Sequence, residues 1–288
     1  MIPDVDNDSI VYLNGQYKKL AEATISVLDR GFIFGDGIYE VVPAYQGKPF
    51  RMKEHLARLE RSLAALEIRC PLKAADWQSL VANLLQQHGP GDAMVYLQVT
   101  RGVARRDHAF PVHALEPTVF GMVSPFTPPG VAQRTQGLSV ITIPDERWLH
   151  CEIKSVSLLG NVLAKQQAVR AGVDEVIQFR NGFMSEGASS NIWAVRNGEL
   201  LAPPRDNLIL EGIRYGFMQE LAQAAGIPFS ARPISREEVD SADELMLTSA
   251  TKEVLPITRC NGKPVAGGQP GPVYAALRAG YDAALRSL

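Results

Sequence analysis

Residues 176–200 read VIQFRNGFMSEGASSNIWAVRNGEL. Val176-Ile177-Gln178-Phe179 and Ile192-Trp193-Ala194-Val195 are strand-forming runs, and Asn181-Gly182 and Asn197-Gly198 follow them one residue later. A two-residue hairpin turn of type I′ needs positive φ at both central positions, which Asn and Gly adopt readily. Asn14-Gly15, after Val11-Tyr12-Leu13, and Asn261-Gly262 repeat the signal, and Gln46-Gly47 is a weaker fifth case. A two-residue loop cannot make a parallel crossover, so mainly antiparallel sheets are expected.

Helices are interspersed with these hairpins. Leu56, Leu59, Leu63 and Leu66 follow helical spacing within 54–67, and further helices are expected over 77–87, 158–170 and 212–225. Ser235 and Glu238 form a capping box that opens a short helix. Tyr274, Leu277, Tyr281 and Leu285 mark a last one. Residues 124–137, SPFTPPGVAQRTQG, are rich in proline and glycine and read as a connection. The expectation is an α+β chain with an N-terminal domain over 1–124, a linker over 125–137 and a C-terminal α+β domain over 138–288 that carries the lysine discussed below. With 288 residues, about 73% of the chain's surface is expected to be buried, enough to fold without disulfides or a metal.

Composition narrows the function classes. With 29 Lys+Arg against 31 Asp+Glu there is no basic excess of the kind a nucleic-acid binder shows. No apolar run reaches the length of a membrane span, and the acidic start MIPDVDNDSI lacks the pattern of a signal peptide. Cys70, Cys151 and Cys260 are odd in number and scattered, which suits a cytoplasmic chain without a disulfide framework. The histidines show no metal-ligand spacing, and the phosphate-loop, dinucleotide, HExxH and GxSxG motifs are missing.

Several segments carry residues with chemical potential. Asp29 to Glu40, DRGFIFGDGIYE, is a glycine-rich bend. Trp148 to Lys154 reads as a strand ending in a lysine just before a helix. Such a lysine is ordinarily solvated, but desolvation would make its amine a nucleophile. Ser185 to Asn191 is a turn of small residues carrying one acid, Glu186. Glu211-Gly212-Ile213-Arg214 opens a helix, where free N–H groups favour an anion, and Leu247 to Thr251 sets hydroxyls at a strand end. Each segment alone is equally compatible with an ordinary turn, a helix start or a solvated charge.

Taken in order, DRGFIFGDGIYEVV, EHLARL, YLQVTRG followed by RRDHAFP, RWLHCEIKSVSLLGNVLAKQQA and SEGASSNIW resemble the fold-type IV pyridoxal-phosphate aminotransferases, in particular their D-amino-acid transaminase branch. The resemblance runs from VYLNGQ to LTSATKEVLPI. It implies a two-domain α+β fold, pyridoxal 5′-phosphate as cofactor, and transfer of an amino group between a D-amino acid and a 2-oxo acid. It further implies that Lys154 forms the Schiff base with the cofactor and that Glu186 pairs with the pyridine nitrogen. Arg58, Ile213, Arg214, Ser249 and Ala250 would hold the phosphate. Tyr39, Arg106 and His108 would take the substrate carboxylate, the latter two from the partner subunit of a homodimer. Where the family usually has Ile/Val-Thr-Arg, this chain has Ile213-Arg214-Tyr215; Ala250 replaces a common hydroxyl and Trp193 a smaller aromatic. An (R)-amine transaminase, a branched-chain L-amino-acid transaminase and an aminodeoxychorismate lyase share the cofactor chemistry. A branched-chain enzyme is not expected to carry the Arg-x-His pair at 106 and 108.

Overall fold

The structure, a computed structural model, describes residues 5–288, in which the chain forms two compact units. The first runs up to Thr127 and takes in Ile153–Ser157; the second comprises Pro128–Glu152 and Leu158–Leu288.

The first unit contains β1 (Ile10–Leu13), β2 (Gln16–Lys19), α1 (Arg30–Phe34), β3 (Gly37–Tyr45), β4 (Lys48–Pro49), α2 (Met52–Ala65), α3 (Ala74–His88), β5 (Ala93–Thr100) and β6 (Thr118–Pro125). Its strands make one sheet in the order β2-β1-β6-β5-β3-β4, with every pair antiparallel. Val95, Leu97 and Val99 alternate along β5 and bury one face of the pleat. They share a core with Leu56, Leu59 and Leu63 of α2 and with Trp77, Leu80 and Leu84 of α3. Truncating the fully buried Leu59 to alanine would cost about 2–5 kcal/mol.

The second unit contains α4 (Val131–Gln136), β7 (Leu138–Pro144), α5 (Leu159–Arg170), β8 (Glu175–Arg180), β9 (Phe183–Met184), β10 (Asn191–Arg196), β11 (Glu199–Ala202), α6 (Ile213–Ala224), β12 (Phe229–Ala231), α7 (Arg236–Asp240), β13 (Glu244–Ser249), β14 (Glu253–Cys260), β15 (Lys263–Pro264) and α8 (Pro272–Arg286). The sheet order is β12-β11-β10-β13-β14-β7-β8-β9, with β15 on β14. It is mixed. Helices α5 and α6 serve as crossovers, so β7 pairs β8 and β11 pairs β12 in parallel, and β14 also lies parallel to β7. Ile177, Ile192, Leu201, Leu245, Leu247 and Leu255 are central members of its core.

All five expected turns join antiparallel strands, and each has positive φ at both positions, as with Asn181 at 51° and Gly182 at 84°. The Ser235–Glu238 capping box is present at the start of α7.

Four features depart from the sequence reading. The glycine-rich bend contains α1, capped by the Asp29 carboxylate and closed by Gly35 in the left-handed region. Residues 148–154 form no strand. The Lys154 segment packs with the first unit rather than the C-terminal one, because it pairs against β3: Tyr39 N–H donates to the Lys154 carbonyl and Val156 N–H to the Gly37 carbonyl, each at 3.0 Å. In addition, the stretch expected as linker includes α4, which belongs to the second unit.

Candidate active site

In the first unit, the face of α2 that carries His55, Arg58 and Ser62 is buried. Arg58 forks onto Glu40 of β3, with Nε 2.7 Å from Oε1 and Nη2 2.9 Å from Oε2. His55 Nδ1 lies 2.7 Å from Glu40 Oε2. Burial alone would raise the Glu40 pKa, but Arg58 and His55 more than offset it and hold the carboxyl well below the usual range. An ionised carboxylate only accepts, so His55 Nδ1 carries the proton between them. Ser62, one helical turn beyond Arg58, accepts the Lys154 N–H at 3.3 Å. Lys154 Nζ stands 4.1 Å from the centre of the Tyr39 ring, which stacks on Tyr96 with centroids 5.8 Å apart. The expected lysine, tyrosine and arginine therefore converge on β3 and α2 in one unit.

Arg106 and His108 lie in an exposed irregular segment after β5, not in a strand. Both nevertheless meet the same ring: Arg106 Cζ is 5.4 Å from the Phe34 centroid, and the His108 ring is also 5.4 Å from it.

In the second unit, Glu186 sits in the turn between β9 and β10 and is buried. Gly187 permits that turn, since a Cβ there would lie 2.2 Å from Ser190 Oγ. Glu175 braces the same turn from beneath, accepting from Ala188 N–H at 3.2 Å and from Lys252 Nζ at 3.1 Å. Glu186 itself accepts from Arg147 Nη1, from Asn191 Nδ2 at 3.2 Å and from Leu210 N–H at 3.1 Å. Arg147 is shared, because Asp145 takes its Nε at 2.9 Å and its Nη2 at 2.8 Å. Burial pushes Glu186 up to about 7 although Arg147 and the Leu210 N–H pull the other way. Asp145 is also disfavoured by burial, but Arg147 and Ser185 bring it down to about 2. One guanidinium serves two acids, and Asp145 holds more of it.

Asn191 links Glu186 to the helix start, since its Oδ1 accepts from Gly212 N–H at 3.2 Å. Asn191 pairs with Thr248 across the sheet, so the start of α6 and the end of β13 lie at one end of the second sheet. Ile213 and Arg214 occupy the first turn of this twelve-residue helix, which has no acid in its first turn and no side-chain cap. Ser249 Oγ accepts from Lys252 N–H at 3.0 Å, and Ala250 follows it in the turn. The Arg214 side chain points into the core, where Nε donates to Tyr281 Oη at 3.1 Å, so Arg214 offers this end of the unit its backbone rather than its charge. Tyr215 and Trp193 are packed together at 4.9 Å, and Trp193 Nε1 donates to Thr248 at 3.0 Å. The two unusual residues thus fill one another's space.

The donor set suits a phosphorylated pyridine aldehyde. In the second unit, a helix N-terminus with a neighbouring hydroxyl fits a phosphate and a buried carboxylate fits a protonated ring nitrogen; in the first unit, taken by itself, a lysine amine fits an aldehyde. Arg147 and Asn191 carry much of this arrangement and were not singled out from the sequence. Arg147 reaches Glu186 from 39 positions away, whereas Asn191 is only five positions from Glu186; the local signals were the Asp145-x-Arg147 spacing and the Ser185–Asn191 turn.

Comparison with known proteins agrees with this chemistry. The family described as amino-transferase class IV matches residues 37–260. The D-alanine aminotransferase of Staphylococcus epidermidis is 38% identical over 277 residues, covering 96% of this chain and 98% of that one. Among solved structures, the branched-chain amino acid aminotransferase of Escherichia coli superposes with a TM-score of 0.90 at 23% identity, covering 96% and 94% of the two chains, a likeness of fold alone. A T.th. branched-chain amino acid aminotransferase with pyridoxamine 5′-phosphate gives 0.86 at 25% identity, covering 96% and 94%.

Proposed function

We propose that this chain, which belongs to the amino-transferase class IV family, moves an amino group between a D-amino acid such as D-alanine or D-glutamate and a 2-oxo acid, using pyridoxal 5′-phosphate. The observation that carries the reading is the presence of a lysine amine, Lys154, and a buried carboxylate, Glu186, in a chain 38% identical to a D-alanine aminotransferase over nearly its full length.

The cofactor supplies an aldehyde for the amino group and a ring that takes up the electron pair left on the substrate α-carbon. Lys154 would hold that aldehyde through its Nζ amine. The same Nζ, when its amine is unmodified, would serve as the base that takes the substrate α-proton and as the acid that gives it back. Glu186, with a pKa raised to about 7 by burial, would be drawn to its ionised form by a positive ring nitrogen and would stabilise that charge. The backbone N–H groups of Ile213, Arg214 and Ala250 and the Ser249 hydroxyl bind the phosphate, and Arg58 adds charge. Tyr39, with Arg106 and His108 of a partner copy, binds the α-carboxylate. The protein acts as a homodimer in the cytoplasm. Leu159, Val162 and Leu163 of α5 and Val27, Phe32 and Val112 of the first unit are exposed apolar side chains that a second copy would cover.

The reading is tested by supplying the purified protein with pyridoxal 5′-phosphate, D-alanine and 2-oxoglutarate. Pyruvate and D-glutamate are expected, with little turnover of L-leucine. Lys154→Ala should lose the visible absorption of the bound cofactor and about a thousandfold or more of the activity while remaining folded. Preference for L-leucine, or pyruvate release from aminodeoxychorismate, would replace this reading with a branched-chain or lyase activity. A Lys154→Ala protein that borohydride still links to the cofactor at another single lysine would overturn the role of Lys154.

A further inference from the structure

The segment bearing Arg106 and His108 has exposed side chains and no strand pairing, yet a buried arginine holds its backbone. Arg30, the first residue of α1, is 3% exposed. Its Nη1 donates to the Asp107 carbonyl at 2.6 Å and to the Ala109 carbonyl at 3.4 Å, and its Nη2 to the His108 carbonyl at 3.4 Å. Its Nε is fixed by Asp36 at 2.7 Å, and Asp36 is fixed in turn by Arg101 at 2.8 Å. Arg101 donates to the Leu66 carbonyl at 2.6 Å and stands 3.7 Å from the Phe110 ring centre. Phe34, on the same helix as Arg30, lies within 4.8 Å of the Arg30 Cζ and contacts both Arg106 and His108.

A solvated loop satisfies its carbonyls with water. Here three consecutive carbonyls are taken by one guanidinium whose planar fork spans several acceptors, which a lysine ammonium cannot do from one point. We propose that Arg30, with the Phe34 ring beside it, is the positioning residue of the carboxylate-binding loop: it fixes the backbone at 107–109 so that Arg106 and His108 are presented in a set orientation. The proposal rests on the reading that Arg106 and His108 bind the substrate carboxylate.

The test uses the cofactor-loaded enzyme with D-alanine in four forms: wild type, Arg30→Lys, Arg106→Ala and the double variant. Arg106→Ala should raise KM by roughly tenfold to a hundredfold. Arg30→Lys should raise KM about tenfold with kcat within about threefold, and the double variant should raise KM by clearly less than the product of the two single effects, because Arg30 acts partly through Arg106. Amide hydrogen exchange should speed up across 105–110 in Arg30→Lys while the unfolding midpoint of the protein holds. Losses that multiply in the double variant, or a fall in kcat at constant KM, would overturn the positioning role. An unchanged KM in Arg106→Ala would instead remove the carboxylate reading itself, and the proposal with it. If Arg30→Lys does not fold, Phe34→Leu carries the same test, since it leaves every hydrogen bond of Arg30 in place. It should raise KM about threefold in the wild-type background and by less in Arg106→Ala; an unchanged KM in the wild-type background would count against the proposal.

Discussion

Glu40 in the first unit and Glu186 in the second are both buried carboxylates against an arginine, but their acid strengths move in opposite directions. Glu40 has both oxygens occupied, by Arg58 and His55, and Arg58 is aligned on it as a two-pronged donor. Glu186 shares its arginine with Asp145, and its remaining donors are an amide side chain and one backbone N–H. Burial costs both ions hydration; only Glu40 recovers it in full. A carboxylate that stays ionised over the whole working range fixes structure. One that titrates near neutrality is free to respond to a charge placed beside it, and that is the property a cofactor partner needs.

If this contrast is right, the largest effect on folding comes from the fully paired side. Arg58→Ala leaves Glu40 ionised and buried beside His55 without its fork, and should cost about 3–5 kcal/mol of stability, read from chemical denaturation. Glu186→Gln should cost less than about 1 kcal/mol near neutral pH, because it replaces an ion that burial already disfavours. Equal losses from the two substitutions would erase the distinction.

The smaller effect is the pH dependence. Glu186 titrates near 4.5 when unfolded and about 7 when folded, so its contribution is fully present below pH 4.5 and is lost as pH rises toward 7. Asp145 has the opposite sign, since its contribution is present above its ordinary value of 3.8 and is lost as pH falls toward about 2. In cofactor-free protein, the unfolding midpoint of Glu186→Gln relative to wild type should therefore climb between about pH 4.5 and 7 and level off above that. A difference that stays flat over that interval would mean Glu186 is already ionised at the lower end.

How much of this was legible in the sequence follows from how local each determinant is. The Asn-Gly turns act over two residues through φ alone, and all five hairpins stand where the sequence put them. The leucine stripe of α2 was equally readable, as the buried set Leu56, Leu59 and Leu63 confirms. Short α1 was not, because one helical turn among glycines is stabilised by the Asp29 cap and by contacts such as Thr100 Oγ1 to Asp29 at 3.0 Å, 71 positions away. Lys154 was legible as a residue but not as a conformation: a β-like run suggested a strand within the C-terminal domain, whereas its backbone is ordered by β3 and by Ser62. Arg58 was named through the family resemblance and not by helical spacing, and its pairing with Glu40, 18 positions upstream, had no local signal. For Arg214 the helix start drew attention to backbone N–H groups, and the packing of its side chain on Tyr281, 67 positions away, had no local signal.

The role of Glu186 is the claim on which the catalytic reading depends most, and the half-reaction of cofactor-loaded Glu186→Gln with D-alanine tests it directly. A neutral amide cannot favour a protonated ring nitrogen, so the single-turnover rate should fall about a hundredfold or more while the cofactor dissociation constant rises by less than about tenfold. An unchanged single-turnover rate combined with a lost cofactor would contradict this, and would leave Glu186 as an anchor with no part in the chemistry.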